Sequence, residues 1–281
     1  MGTPQNGGEN CALPVLASFG SRDARGDAVA VEKNLSDLLS TLENAPDLDA
    51  AEIALTDLAT AINMPTIAWA ADISAPVKNP IVDAFMRRRG WSDDVLTLWW
   101  SRSVMLKSPL YIRCRFTAQP FATEIRGPRR EYPPDLRHIE AAMQDMGLKS
   151  MITVPVHLPR GRISMLTFCG PEPLAVARDL LDRLQKELRL AGQLLMQAHD
   201  RQVPPPPLTA DILSGLTPKE WECLRLTALG HREVEVARLM EVEKSTVRYH
   251  LRNVVAKMGA STRTHAVAIA SQLGMIGTIS P

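Results

Sequence analysis

The side chains best suited to molecular recognition crowd into one short run, where Lys244, Ser245, Thr246, Arg248, Tyr249 and Arg252 fall within nine residues. Arg248 and Arg252 are four apart, so on a helix they project from one face. A guanidinium is a planar fork whose donors match O6 and N7 of guanine in the major groove, and it is the commonest specific contact there. Lys, Ser and Thr near a helix N-terminus suit phosphate oxygens instead. Arg248 and Arg252 are therefore the candidate base readers, and Lys244, Ser245, Thr246, Lys257 and Arg263 the candidate backbone contacts. An arginine pair alone is only two solvated charges. It becomes a reader when the surrounding chain builds the right pair of helices.

The other reactive side chains do not assemble into catalytic or metal-binding patterns. Cys11, Cys114, Cys169 and Cys223 are scattered, with no CxxC or Cys/His spacing that would hold a metal, and read as buried reduced thiols. His157 and Cys169 fall on adjacent predicted strands but carry no nucleophile motif, and no Gly-rich phosphate loop is present. Neither an enzyme nor a metal or organic cofactor is expected.

The elements around the arginines fit the requirement. Thr217-Pro218-Lys219-Glu220 is a helix start, with a hydroxyl at the N-cap, Pro at the first helical position and Glu three residues on to close a capping box. Gly230 stops that helix. A short helix over 233–240 and a second over about 244–258 follow, joined by a turn of about three residues. Ala237 is small enough for the two to cross closely, and Val247 fills their junction. Residues 217–281 hold nine Lys/Arg against six Asp/Glu, whereas the whole chain is nearly neutral at +1. That local excess is a weak pointer toward nucleic acid, because basic groups displace counterions condensed on phosphates.

The rest of the 281 residues reads as a separate unit. Residues 1–30 lack apolar periodicity and are expected to be a flexible tail. Two amphipathic helices follow over 31–63, then a strand over 66–73. A helix over 91–105 is stopped by Ser108-Pro109, and another spans 133–146. Strands over 151–158 and 162–169 flank Pro159-Arg160-Gly161 in a hairpin pattern. A long helix over 171–199 ends the unit. Helices before, between and after short strands describe an α/β/α sandwich over 31–200. Pro204 to Pro207 then cannot enter a helix interior, and 201–215 is expected to be a Pro-rich spacer. The class is α+β: the sandwich, then a four-helix helix-turn-helix domain over 216–281. The start MGTPQNGGEN has no basic-then-apolar leader, and no apolar run approaches the ~18–20 residues of a membrane span, so a cytoplasmic protein without a membrane partner is expected.

The stretch from Leu216 to Ile276 resembles the DNA-binding domain of LuxR-type regulators. Glu220, Leu224 and Gly230 stand at the family's characteristic positions, and Thr246 to Asn253 match its TVxxHLxN signature. The resemblance implies double-stranded DNA as a partner, and RNA polymerase as a second if the protein is an activator. It also implies a homodimer paired through a fourth helix, here with Ala266, Ile269 and Leu273 as its apolar stripe, on a roughly palindromic site.

Gly147 to Phe168 resembles the autoinducer-binding domain of the quorum-sensing members, which recognise acyl-homoserine lactones. A phosphoacceptor receiver domain is not supported, since Asp72 has no acidic partners at the required places. Extending the match without a gap places Ser108-Pro109 on the family's Asp-Pro, Val95 on a lactone-binding Trp, Trp99 on a Tyr, Thr123 on another ring-contact position and Met151 on a Gly. The Asp accepts the ligand amide in such members, a charge-assisted bond worth ~1.5–3 kcal/mol. Losing two contacts of this kind weakens binding roughly a hundredfold or more. The resemblance therefore implies a sensor that does not answer to standard acyl-homoserine lactones. Trp91, Trp99, Trp100, Thr153 and Thr167 line a remodelled pocket for another small effector, such as an aromatic one, or fill it themselves as core. A modulator protein pairing with the sensor, and a true acyl-homoserine lactone receptor with unusual contacts, are the competing expectations.

Overall fold

The computed structural model describes residues 24–74, 77–205 and 215–276. Cys11 and most of the expected tail lie outside the described residues, as do Pro206 and Pro207 and most of the expected spacer. Helix α1 (Ala24–Glu43) starts inside the stretch expected to be tail, and the long helix α8 (Leu174–Gln202) runs into the first residues expected to be spacer. Between them come α2 (Leu48–Ala61), α3 (Pro80–Arg87), α4 (Asp93–Trp99), α5 (Arg102–Lys107), α6 (Pro109–Phe116) and α7 (Pro134–Asp145).

Four strands, β1 (Thr66–Ala70), β2 (Phe121–Glu124), β3 (Ser150–His157) and β4 (Ile163–Gly170), form one antiparallel sheet in the order β1-β4-β3-β2. The expected β3–β4 hairpin is present. Its turn places Arg160 and Gly161 at φ of 68° and 69°, and the Leu158 N–H donates to the Arg162 carbonyl at 2.9 Å. Strand β3 is buried at seven successive positions, which alternation cannot reveal because both sheet faces are covered.

The register sorts the faces. Thr153 pairs with Thr167 and Phe121, Met151 with Cys169 and Thr123, and Ala68 with Thr167, so these residues share one face. Ile152, Val154 and Val156 belong to the other face, which packs on α8. Gly192 allows the approach of α8, since a Cβ there meets Val156 Cγ2 at 3.0 Å and Val154 Cγ1 at 3.1 Å. Helices α1 and α2 complete that layer, and α4 to α7 cover the opposite side. The expected single helix over 91–105 is instead two. Trp100 ends α4, and the Ser101 hydroxyl accepts the Val104 N–H to cap α5.

The C-terminal unit has four described helices, α9 (Pro218–Ala228), α10 (Glu233–Leu239), α11 (Lys244–Lys257) and α12 (Arg263–Gln272). The capping box forms in both directions. The Glu220 N–H donates to the Thr217 hydroxyl at 3.3 Å, and the Thr217 N–H donates to the Glu220 carboxylate at 2.8 Å. Val236, Ala237, Val247 and Leu251 fill one small core, while Leu224, Val254, Met258 and Ala270 fill a second.

Candidate nucleic-acid interface and buried cavity

Helices α10 and α11 are held at a tight turn in which Glu241 adopts a φ of 54° and the Val242 N–H donates to the Ala237 carbonyl at 2.9 Å. Burial of Val247, Leu251 and Val254 fixes the rotation of α11, and Lys244, Ser245, Arg248, Tyr249 and Arg252 are consequently exposed, with Thr246 half-buried. Arg248 and Arg252 share the outward side. The Arg252 guanidinium lies 5.7 Å from the Tyr249 ring centroid, within range of a cation–π contact. The N-cap of α11, Glu243, makes no side-chain cap bond, so the helix opens with unoccupied N–H donors beside Lys244 and Ser245.

Two candidate backbone contacts are already engaged within the domain. The Lys257 ammonium sits 2.6 Å from Glu220. Burial pushes the Glu220 carboxyl up, but the bond from Lys257 and those from Thr217 outweigh it and hold the group at about 2. Arg263 is bonded to Glu233, whose carboxylate also takes Arg248 at 3.3 Å. Glu233 was not singled out from the sequence, because its two partners lie 15 and 30 residues away. Of the expected dimer stripe, Ala266 is 1% exposed and packs in the domain's own core, whereas Ile269 and Leu273 are half-buried.

On the sheet face opposite α8 lies a cavity of about 100 Å³. Of the candidate pocket residues, Trp91, Trp99, Ser108, Thr123, Met151 and Thr167 belong to its wall. Three expected members do not. The Thr153 hydroxyl is engaged with that of Thr167 at 3.2 Å, and Val95 turns toward α7, where it lines a separate surface groove with Ala141 and Ala142. Trp100 is also elsewhere, its indole donating to Asp83 at 2.6 Å.

The polar atoms of this wall divide into satisfied and unsatisfied. The Trp91 indole donates to the Ile67 carbonyl at 2.9 Å. The Trp99 indole and the Tyr111 hydroxyl are buried without a partner, and their rings meet edge to face at 6.0 Å. Burial raises the Tyr111 phenol further above its usual range and pushes the Cys169 thiol up to about 12, so both stay neutral. Ser108, at the joint of α5 and α6, caps neither neighbour with its side chain and is 4% exposed. Charged groups complete the wall. Arg126 donates to Glu124 at 2.5 Å, and Glu140, raised by burial, feels the opposing charge of Arg129, whose own ion-pair partner is Glu131 at 3.8 Å. Tyr111 and Glu140 escaped sequence reasoning, since only the folded α6 and α7 bring them to the sheet.

Comparison with known proteins agrees with both halves. The family described as "Autoinducer binding domain" matches residues 48–199, and "Bacterial regulatory proteins, luxR family" matches residues 214–270. The protein y4qH of Sinorhizobium fredii is 34% identical over 138 residues, which span 49% of this chain and only 40% of that protein. The transcriptional activator TraR of Agrobacterium vitis is 27% identical over 65% of this chain and 76% of its own length. The crystal structure of Escherichia coli SdiA superposes with a TM-score of 0.53 at 17% identity, covering 88% of this chain and 99% of SdiA. That likeness is one of fold. Among the described residues no helix is long and apolar enough to cross a membrane, and no group of acidic, His or Cys residues could hold a metal ion.

Proposed function

The chain belongs to the LuxR-type quorum-sensing transcriptional regulators, pairing an autoinducer-binding domain with a helix-turn-helix, and from that premise we propose that it binds a roughly palindromic DNA site as a homodimer under the control of a small molecule other than a standard acyl-homoserine lactone. The family consists of regulators rather than enzymes. Arg248 and Arg252 read base edges from α11, Lys244, Ser245 and Thr246 hold phosphates at its first turn, and Tyr249 supports Arg252. The protein acts in the cytoplasm, where its DNA is.

The observation that carries the DNA half of this reading is the exposed Arg248–Arg252 side of α11, set by three buried residues on the opposite side. Footprinting on a selected site tests it. Two protected half-sites about one helical turn, ~34 Å, apart support the dimer, and a single asymmetric footprint contradicts it. Ile269 and Leu273 are the remaining pairing candidates on α12.

For the sensor half, Ser108 stands where lactone-binding members place a carboxylate, and Val95, standing for an indole, lies off the cavity wall. Calorimetry with common acyl-homoserine lactones is expected to detect no micromolar binding. Micromolar or tighter affinity refutes that half alone.

A further inference from the structure

The following inference rests on the reading of the buried cavity as the effector site. We propose that the effector is a compact, uncharged molecule, about one ring in size, that presents an acceptor oxygen such as a carbonyl to the Trp99 indole and the Tyr111 hydroxyl.

Size comes first. The cavity measures about 100 Å³, and an engineered cavity of ~150 Å³ takes one benzene. A single ring with a short substituent fits after small side-chain shifts, whereas a long acyl chain does not. Polarity comes second. Buried polar groups are nearly always hydrogen-bonded, so unpartnered ones call for an explanation. Four buried side-chain atoms among the described residues lack a partner, and two of them, Trp99 Nε1 and Tyr111 Oη, belong to residues that line this one cavity. The indole can only donate, and a carbonyl oxygen has two lone pairs to accept from both groups. The other two atoms have local surroundings of their own. Trp69 is edge-on to the rings of Phe85 and His199, and Arg89 bonds through its terminal nitrogens.

Charge comes third. The wall holds two acidic and two basic residues, Glu124 and Glu140 against Arg126 and Arg129, and both arginines are ion-paired, with Glu124 and with Glu131, so no excess charge is left to hold an ion. The remaining surface is aromatic and aliphatic, from Trp91, Leu136, Ile139, Met143 and Met151.

The test titrates the full-length protein with four probes by calorimetry and tryptophan fluorescence: acetophenone, toluene, benzoate and N-octanoyl homoserine lactone. Acetophenone is expected to bind at least tenfold tighter than toluene and benzoate. Tyr111→Phe weakens acetophenone about three- to tenfold, the range of one hydrogen bond, and leaves toluene unchanged, while Trp99→Phe weakens acetophenone more than toluene. Tyr111→Phe should not lower the thermal midpoint of the free protein, because the hydroxyl it removes has no partner. Equal binding of toluene and acetophenone, preference for benzoate, or binding of none of the four overturns the inference and leaves the regulator reading intact. Tightest binding by the lactone overturns both the inference and the sensor half of that reading.

Discussion

Replacing Lys257 by Met should destabilise the C-terminal domain more than replacing Glu220 by Gln, although the two residues form one ion pair. The reason is unequal burial: the Glu220 side chain is 4% exposed and that of Lys257 38%. Lys257→Met leaves a buried carboxylate whose remaining bond comes from the Thr217 N–H. Breaking a fully buried pair from one side costs ~3–5 kcal/mol. The half-exposed ammonium is partly screened, which discounts the figure to about 2–3 kcal/mol. Glu220→Gln keeps an acceptor for Thr217 and lets Lys257 turn to water, costing about 1–1.5 kcal/mol for the lost hydrogen bond. The double variant should cost no more than Glu220→Gln, because no charge is stranded.

The same pair sets a pH limit. The folded carboxyl titrates at about 2 against an ordinary 4.5. A depressed carboxyl stabilises the fold above its unfolded value and loses that contribution as pH falls, so the pair should fail between pH 4.5 and 2. The span is worth roughly 2–3 kcal/mol. In Lys257→Met the loss should begin at higher pH. Hydrogen exchange followed by mass spectrometry on the full chain reads the amides of α9 and α11 locally. A Lys257→Met effect no larger than that of Glu220→Gln, or a double variant equal to the sum of the singles, refutes the reasoning.

Further outcomes follow from other contacts. Gly192→Ala gains ~1 kcal/mol of helix propensity but drives a Cβ against Val154 and Val156, and such overpacking costs ~1–3 kcal/mol. A net loss of about 1 kcal/mol is expected in thermal unfolding, and a raised midpoint contradicts the close approach. Glu233→Gln releases Arg248 and Arg263 from a shared carboxylate. Affinity for random-sequence DNA should rise, with the logarithmic salt slope steeper by about one contact, measured by fluorescence anisotropy. An unchanged slope means that Glu233 does not restrain them. Trp91→Phe strands the Ile67 carbonyl and should cost ~1–3 kcal/mol in denaturant unfolding of the sensor domain. No loss would show that this bond contributes nothing.

What the sequence disclosed were features encoded within a few residues. The Thr217–Glu220 capping box, the Ala237–Val247 junction and the β3–β4 hairpin are local patterns, and each formed as expected. Helix α3 was missed although Asn79-Pro80 marks its start, the Asn79 side chain accepting the Ile81 N–H at 3.1 Å. Strand β2 is four residues long, too short to display an alternation. The cavity was half legible. Four wall residues, Trp99, Ser108, Thr123 and Met151, stand at positions that the family match supplied, whereas α4 turns Val95 toward α7 and Thr153 bonds across the strands to Thr167. The unpartnered pair of Trp99 and Tyr111 has no sequence signal at all. It exists only once α4 and α6 fold against the sheet.

The central claim, a regulator that reads DNA through one side of α11, is tested most directly by comparing wild type with Arg248→Ala/Arg252→Ala. Fluorescence anisotropy would compare a selected site with a scrambled one at fixed salt. The variant is expected to bind the scrambled duplex within a fewfold of wild type and to lose most of its preference for the selected site, at ~1–3 kcal/mol per arginine. Undiminished discrimination between the two duplexes would contradict the account.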